Sequence, residues 1–281
     1  MYKYIRTTIL LLAIALTSCE DVIDVPVQTA QTQLVIEASL DWEKGTSGNE
    51  QTIKLRTSTA FFDTTSDTAT IGAAVKVTND TNGAEFIFTD QNNGEYTTTD
   101  FVPILNQSYT LEVVYNTETY SAQETLFPVP DITDLFQDRI DGFDEEELEV
   151  HVVFTDPPEE GNNVFFKFQR QGDLLPTLEV GNDEFINGNE VDWWIELEDD
   201  DSTDKNEAFQ PGDIVDIEMY AISTPYKDYL EILIEQIGGA DLFDATPVAV
   251  RGNCINTTNP DNYAYGYFRL TEVNKTSYTF E

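Results

Sequence analysis

From Leu34 onward one pattern recurs: apolar side chains at every second position, in short runs cut by turn residues. Leu34, Ile36 and Ala38 alternate with Val35, Glu37 and Ser39, and Ile53 and Leu55 with Lys54 and Arg56. Ala73, Val75 and Val77 follow, then Phe86 and Phe88 flanking Ile87, then Tyr109, Leu111 and Val113, then Tyr120. A period of two puts neighbouring side chains on opposite faces of an extended strand, so each run specifies a strand with a buried face. Asn79-Asp80-Thr81-Asn82-Gly83 and Asn92-Asn93-Gly94 separate the runs, and Asn and Gly tolerate the positive φ that tight hairpins need. Strands at this spacing predict a β-sandwich over 34–127, of the immunoglobulin-like or transthyretin-like kind.

Phe127-Pro128-Val129-Pro130 punctuates the chain, and a domain boundary is placed there. Beyond it a second β-rich domain, 131–281, is expected. Leu148, Val150, Val152 and Phe154 share one strand face, with Glu149, His151 and Val153 on the other. Further strands are expected over 164–168, 191–197, 214–222, 248–250, 264–270 and 277–280. One helix is expected between them. Thr224 is its expected cap, Pro225 suits its first turn, and Gly238-Gly239 ends it. Tyr226, Tyr229, Leu230, Leu233, Ile234 and Ile237 fall on one helical face. The fold class is therefore mainly β with one α-helix.

The first eighteen residues differ from the rest. Lys3 and Arg6 precede an apolar run from Ile9 to Leu16, shorter than the roughly 20 residues a bilayer span needs and the size of a secretory signal core. Leu16-Thr17-Ser18 then meets Cys19 in the order of a bacterial lipobox. The reading is a lipoprotein signal over 1–18, lipid on Cys19, and a tether over 19–33. One acyl chain holds a protein to a membrane only marginally, at about 0.8 kcal/mol per buried CH₂, so such anchors carry several. Acids beside Cys19 (Glu20 and Asp21) accompany surface transport in Bacteroidota, so the body is expected to face the cell exterior.

All 53 acidic side chains lie after residue 18, against twelve basic ones, a net of −41 for the remainder. A field of that sign repels phosphate backbones and anionic lipid, which excludes nucleic acid and a flat membrane-surface role. With Cys19 acylated, Cys254 has no partner for an internal disulfide and reads as a small buried apolar residue.

Several short strings, in order along the chain, resemble one family. They are Cys19 to Asp24, Leu34 to Ala38, Tyr109-Thr110-Leu111 with Thr119 to Ala122, and Phe127 to Pro130. Then come Tyr226-Lys227-Asp228-Tyr229, Thr246-Pro247-Val248 with Arg251-Gly252-Asn253, and Tyr265-Gly266-Tyr267-Phe268. Together they resemble the Bacteroidota lipoproteins grouped as domain of unknown function 4249. The resemblance implies an outer-membrane lipoprotein, often encoded beside a TonB-dependent receptor, with an N-terminal sandwich and a larger C-terminal β domain. It supplies no catalytic residues.

Among candidate sites, Asp200, Ser202, Asp204 and Asn206 alternate in an acidic run as calcium-loop oxygens do. Lys205 stands where an EF-hand requires glycine and Pro211 where it requires its last ligand, so a solvated loop is the plainer reading and no cofactor is required. Trp193 and Trp194 are adjacent in a strand, so one is expected toward the core; the other is a candidate ligand or partner contact, with core or edge packing the plainer reading. Phe61 and Phe62, on a long connection, are similar candidate partner contacts. Thr64, Thr68 and Ser202 sit in short Asp-Thr/Ser motifs of the kind Bacteroidota O-glycosylate. His151 stands alone in a strand with no nucleophile or metal motif nearby in sequence. The expected function is a non-enzymatic accessory or binding subunit of a TonB-dependent uptake system. A structural or adhesive surface protein without a transporter, and a lipid-anchored hydrolase, are the rivals.

Overall fold

The alternating runs become strands where the period places them, and the fold is mainly β with one α-helix among the described residues. The computed structural model describes residues 31–60, 63, 65–140, 147–158, 161–181, 187–197, 208–238 and 249–281. Residues 32–59 and 65–281 form one unit; of the other, 1–31 with 60–64, only Gln31, Ala60 and Asp63 are described.

The first seven strands are β1 (Leu34–Glu43), β2 (Gln51–Thr57), β3 (Ala74–Asn79), β4 (Glu85–Asp90), β5 (Glu95–Thr98), β6 (Ser108–Tyr115) and β7 (Glu118–Thr125). Eight more follow: β8 (Ile132–Asp138), β9 (Glu149–Thr155), β10 (Asn163–Arg170), β11 (Thr177–Gly181), β12 (Glu190–Ile195), β13 (Ile214–Ile222), β14 (Ile255–Asn256) and β15 (Ala264–Thr279). The helix, α1 (Thr224–Gly238), lies between β13 and β14. A sandwich-like sheet of twelve strands runs β11-β10-β13-β15-β1-β2-β5-β4-β3-β6-β7-β14, and a three-stranded sheet runs β12-β9-β8.

Burial follows the alternation closely in the first half. Leu34, Ile36, Ala38 and Leu40 are buried along β1, and Phe86 and Phe88 are buried while Ile87 between them is 61 % exposed. Each fully buried side chain of this size contributes roughly 1.5–3 kcal/mol. The turn at 79–83 closes as its composition requires. The Asn79 side-chain oxygen accepts the amides of Thr81 and Asn82, and Gly83 has φ 75°.

The end of the chain departs from the expected strands. Two were expected, over 264–270 and 277–280; β15 is continuous across both. Its first ten residues pair in parallel with β1, Leu34 with Ala264 through Glu43 with Val273, while its last part pairs antiparallel with β13, Tyr220 with Val273 through Ile214 with Thr279. Pairing partners on both sides override the polar stretch from Arg269 to Asn274 that interrupts the apolar pattern. The strand expected over 248–250 does not form at Ala249 or Val250, and Val248 lies outside the described residues.

Leu126 closes the first core while Val129 opens the second, so the packing changes hands across the prolines. The connection is pinned: the Val129 amide donates to Glu272 at 2.9 Å, its carbonyl accepts Lys44 Nζ at 3.0 Å, and Lys44 pairs with Asp131 at 2.6 Å. The first core also takes in Cys254, Ala264, Phe268 and Leu270 from the end of the chain. The second lies between the β10–β13 region and the three-stranded sheet, and a third cluster seats α1 through Tyr226 and Leu230 against Tyr267, Tyr220 and Phe165.

The helix cap sits one residue earlier than expected. Ser223 Oγ, not Thr224, accepts the Tyr226 amide at 3.3 Å, and Thr224 Oγ1 accepts from Asn163 instead. The same Ser223 hydroxyl donates to Glu124 at 2.9 Å. Burial pushes the Glu124 carboxyl up to about 7 from an ordinary 4.5, against the hydrogen bonds it accepts from Ser223 and Thr125. A carboxyl raised in the folded state stabilises the fold below its unfolded pKa, and that contribution is lost as pH rises through the folded one. Stability should therefore fall by about 3 kcal/mol between pH 4.5 and 8 from this group alone. Glu124→Gln is expected to remove that slope and to be the more stable protein at pH 8 by about 2 kcal/mol, read from urea unfolding midpoints across the range.

Candidate functional site

Two strand edges, each unpaired among the described residues, border a concavity. Among the described residues β11 pairs only with β10 and β12 only with β9, so each ends its sheet. Register fixes which side chains face inward. Thr177, Glu179 and Gly181 stand opposite Phe168, Phe166 and Val164, all three buried in the second core. Residues directly opposite in an antiparallel pair share a face, so Thr177 and Glu179 point toward the small sheet. From that sheet Val191, Trp193 and Ile195 stand opposite Phe154, Val152 and Val150, and they point back. Between the two edges lies an open cleft of about 660 Å³, with Thr177, Glu179, Trp193, Trp194 and Glu196 in its lining.

Trp193 is held by two contacts from the facing β10–β11 surface. Its ring stacks on Phe166 at 5.5 Å between centroids and 26° between planes. The edge of its six-membered ring lies over Gly181, on the same sheet face, where an added Cβ would come within 2.8 Å of the indole and 2.9 Å of Val164. The absent side chain at 181 is therefore the space that the indole occupies. Glu179 is two residues along the same face, about 7 Å from Gly181. Burial raises the Glu179 carboxyl above its ordinary value, and no described residue donates to it.

Trp194 takes the opposite face of β12, beside His151 on β9. Both tryptophans are half-buried. Trp193 is the one that packs on the core, and both reach the cleft, because the cleft follows the edge of β12 rather than one of its faces.

His151 has partners that its sequence surroundings only half reveal. Nδ1 faces Asp192 at 2.9 Å, Nε2 faces Glu149 at 3.4 Å, and Phe136 stacks on the ring at 4.4 Å. Glu149 is visible as the i−2 neighbour on the same strand face; Asp192 and Phe136 come from other strands. Both ring nitrogens thus look at carboxylates among the described residues, an arrangement that orients a buried ring. Cys254 is buried, and burial pushes its thiol up to about 12, so the reactive thiolate is suppressed at neutral pH.

The remaining candidates separate. Thr68 is half-buried and its carbonyl accepts the Thr57 amide at 2.8 Å. Cys19, Phe61, Phe62, Thr64, Asp200, Ser202, Asp204 and Asn206 lie outside the described residues. Among the described residues no cluster of three or more His, Cys, Asp or Glu is arranged to hold a metal, and no helix is long and apolar enough to cross a membrane.

A family described as domain of unknown function (DUF4249) matches residues 20–277. The chain belongs to the DUF4249 family. The short strings along the sequence resembled this same family, and its match runs from the residue after Cys19 almost to the end of β15. No curated protein matches this DUF4249 chain. Among solved structures it is similar to a two-domain fibronectin type-III segment of chicken tenascin, at 10 % identity and a TM-score of 0.22, covering 62 % of this chain and 85 % of that one. It is also similar to a chain of a cytokine receptor complex, at 8 % identity and a TM-score of 0.26, covering 67 % and 90 %.

Proposed function

We propose that this DUF4249 chain is a lipid-anchored protein of a Bacteroidota outer membrane, held through Cys19, that acts without catalysis as the accessory or binding subunit of a TonB-dependent uptake system. The observation that carries the reading is where the cleft sits. Glu179 is opposite Phe166, Phe166 opposite Met219, and Met219 opposite Asn274, ten residues along β15 from Ala264. Ala264 is level with Leu34, the start of β1. At about 3.3 Å per residue, the cleft stands about 30 Å along the sheet from the point where the β-structure begins. The cleft therefore lies at the part of the sheet remote from the first residue of β1. The basic start, apolar core and lipobox cysteine in order, and the acidic surface that disfavours lying on anionic lipid, support the same reading.

The test is a gentle detergent pull-down of the tagged, lipidated protein with mass spectrometry of its companions. A stoichiometric TonB-dependent barrel is the expected result. Recovery alone, repeated under crosslinking, would count against it. That outcome favours a second reading, adhesion without a transporter, for which the hairpin between β10 and β11 is suited. Leu174 and Leu175 stand on it 93 % and 75 % exposed.

A further inference from the structure

We propose that the cleft between β11 and β12 binds an organic cation: an ammonium or guanidinium group on an apolar stem, the chemistry of a lysine or arginine side chain. The proposal rests on the reading of this cleft as a ligand site and names the ligand class for it.

Three features of the cleft converge. Its apolar wall is the Trp193 indole, which stacks one ring face on Phe166 and sets the edge of its six-membered ring over the bare backbone of Gly181. An indole face attracts a cation more strongly than any other aromatic side chain. Beside it, on the same face of β11 as Gly181, stands the Glu179 carboxylate. It is half-buried, and no described residue donates to it or pairs with it. A carboxylate partly withdrawn from water without a counter-charge is destabilised as an anion, which is why its pKa is raised; an incoming cation relieves that cost. Finally, among the described lining residues the other charged side chains, Asp192 and Glu196 along the β12 edge, have the same sign, and none is Lys or Arg. The open volume of about 660 Å³ has room for the stem as well as the charged head.

Elsewhere among the described residues two buried or half-buried cations are already matched. Arg269 is buried against Asp41 and two tyrosine rings, and Lys167 lies over the Phe165 and Tyr220 rings near Glu218. The same pairing of ring face and carboxylate that the fold uses for its own basic side chains is left open in the cleft.

The test uses the full chain and two small probes, n-butylguanidinium and n-butylammonium, with n-butanol as the neutral comparison. Binding is followed by tryptophan fluorescence and calorimetry. Both cations should bind and n-butanol should not. Glu179→Gln should weaken binding at least tenfold and Trp193→Phe several-fold, while Asp261→Asn, which removes the same charge from an exposed loop, should leave it unchanged. Far-UV circular dichroism and unfolding midpoints confirm that each variant is folded. Absence of binding, equal binding of butanol, or equal weakening by Glu179→Gln and Asp261→Asn would overturn the proposal. These outcomes are independent of the pull-down. A barrel partner without cation binding removes this inference alone, and Glu179-dependent binding by a protein recovered alone removes the uptake reading alone.

Discussion

Gly252→Ala is expected to cost at least about 4 kcal/mol, enough to leave little folded protein. A Cβ at residue 252 would fall far inside contact distance of the Gly266 carbonyl oxygen and close to the Gly266 carbonyl carbon. These are backbone atoms of β15 and have no rotamer by which to move aside. Gly266 itself has φ 90° and is packed as closely against the backbone of Ile36 on β1. Residue 252 thus abuts β15 at the point where Gly266 pairs with Ile36 of β1, and a methyl group there must part β15 from the 251–254 segment or strain its ladder with β1. The neighbouring Asn253 locks the arrangement. Its side chain donates to the Phe268 carbonyl at 2.9 Å and accepts the Phe268 amide at 2.8 Å. Asn253→Ala, which leaves space but removes both bonds, should cost less, about 2 kcal/mol. Unfolding in urea measures the pair, and a Gly252→Ala protein as stable as the parent would mean that the close contact is not what holds the segment.

Arg269→Ala should cost about 3–5 kcal/mol, or roughly 10 °C in Tm. Arg269 is 5 % exposed, pairs with Asp41 on β1, and lies 4.9 Å from the Tyr220 ring centroid and 5.4 Å from that of Tyr226. Truncation removes the charge that neutralises Asp41 and opens a void between β13, α1 and β1. Arg269→Met fills the void without the charge, so comparing the two separates packing from electrostatics. If alanine and methionine are equally damaging, the charge dominates; if methionine restores most of the loss, packing does. A fall of less than about 1 kcal/mol for alanine would show that the buried pair contributes little.

How much of this was legible in the sequence differs by element. The strands of the first half were plain, because each has one wet and one buried face, and the two-residue period records that directly. The interior of β15 was not. Arg269, Thr271 and Glu272 are buried through partners distant in sequence, Asp41, the Ala221 carbonyl and the Val129 amide respectively. A buried polar residue reads like a surface one until its partner is known. The strings at 251–253 and 265–268 marked a family without a reason; the reason is the close approach of Gly252 to Gly266 and the Asn253 clamp, which exist only once β15 is folded against them. At the cleft, the tryptophan pair was visible as a feature, but alternation alone could not say which of the two packs on the core; the register with β9 does, and it is Trp193. Glu179 was not visible. It lies in a short edge strand, Thr177 to Gly181, whose apolar residues Leu178 and Val180 face the helix cluster, so the two-residue period marks the Glu179 face as the wet one.

The partnership of β1 with β15 bears on how the chain is made as well as on how it stands. Leu34 and Ala264 are hydrogen-bonded neighbours separated by 230 positions, and the first core includes side chains from the last strand. During synthesis, the leading third of the polypeptide emerges with its hydrophobic face lacking the strand that completes it, and it must wait for almost everything that follows. Such long-range closure slows folding, because the entropy of the intervening loop is spent before the contact returns it. Under the export proposed above, that delay would be an advantage: nothing at the front could settle into a finished structure before the rear had arrived.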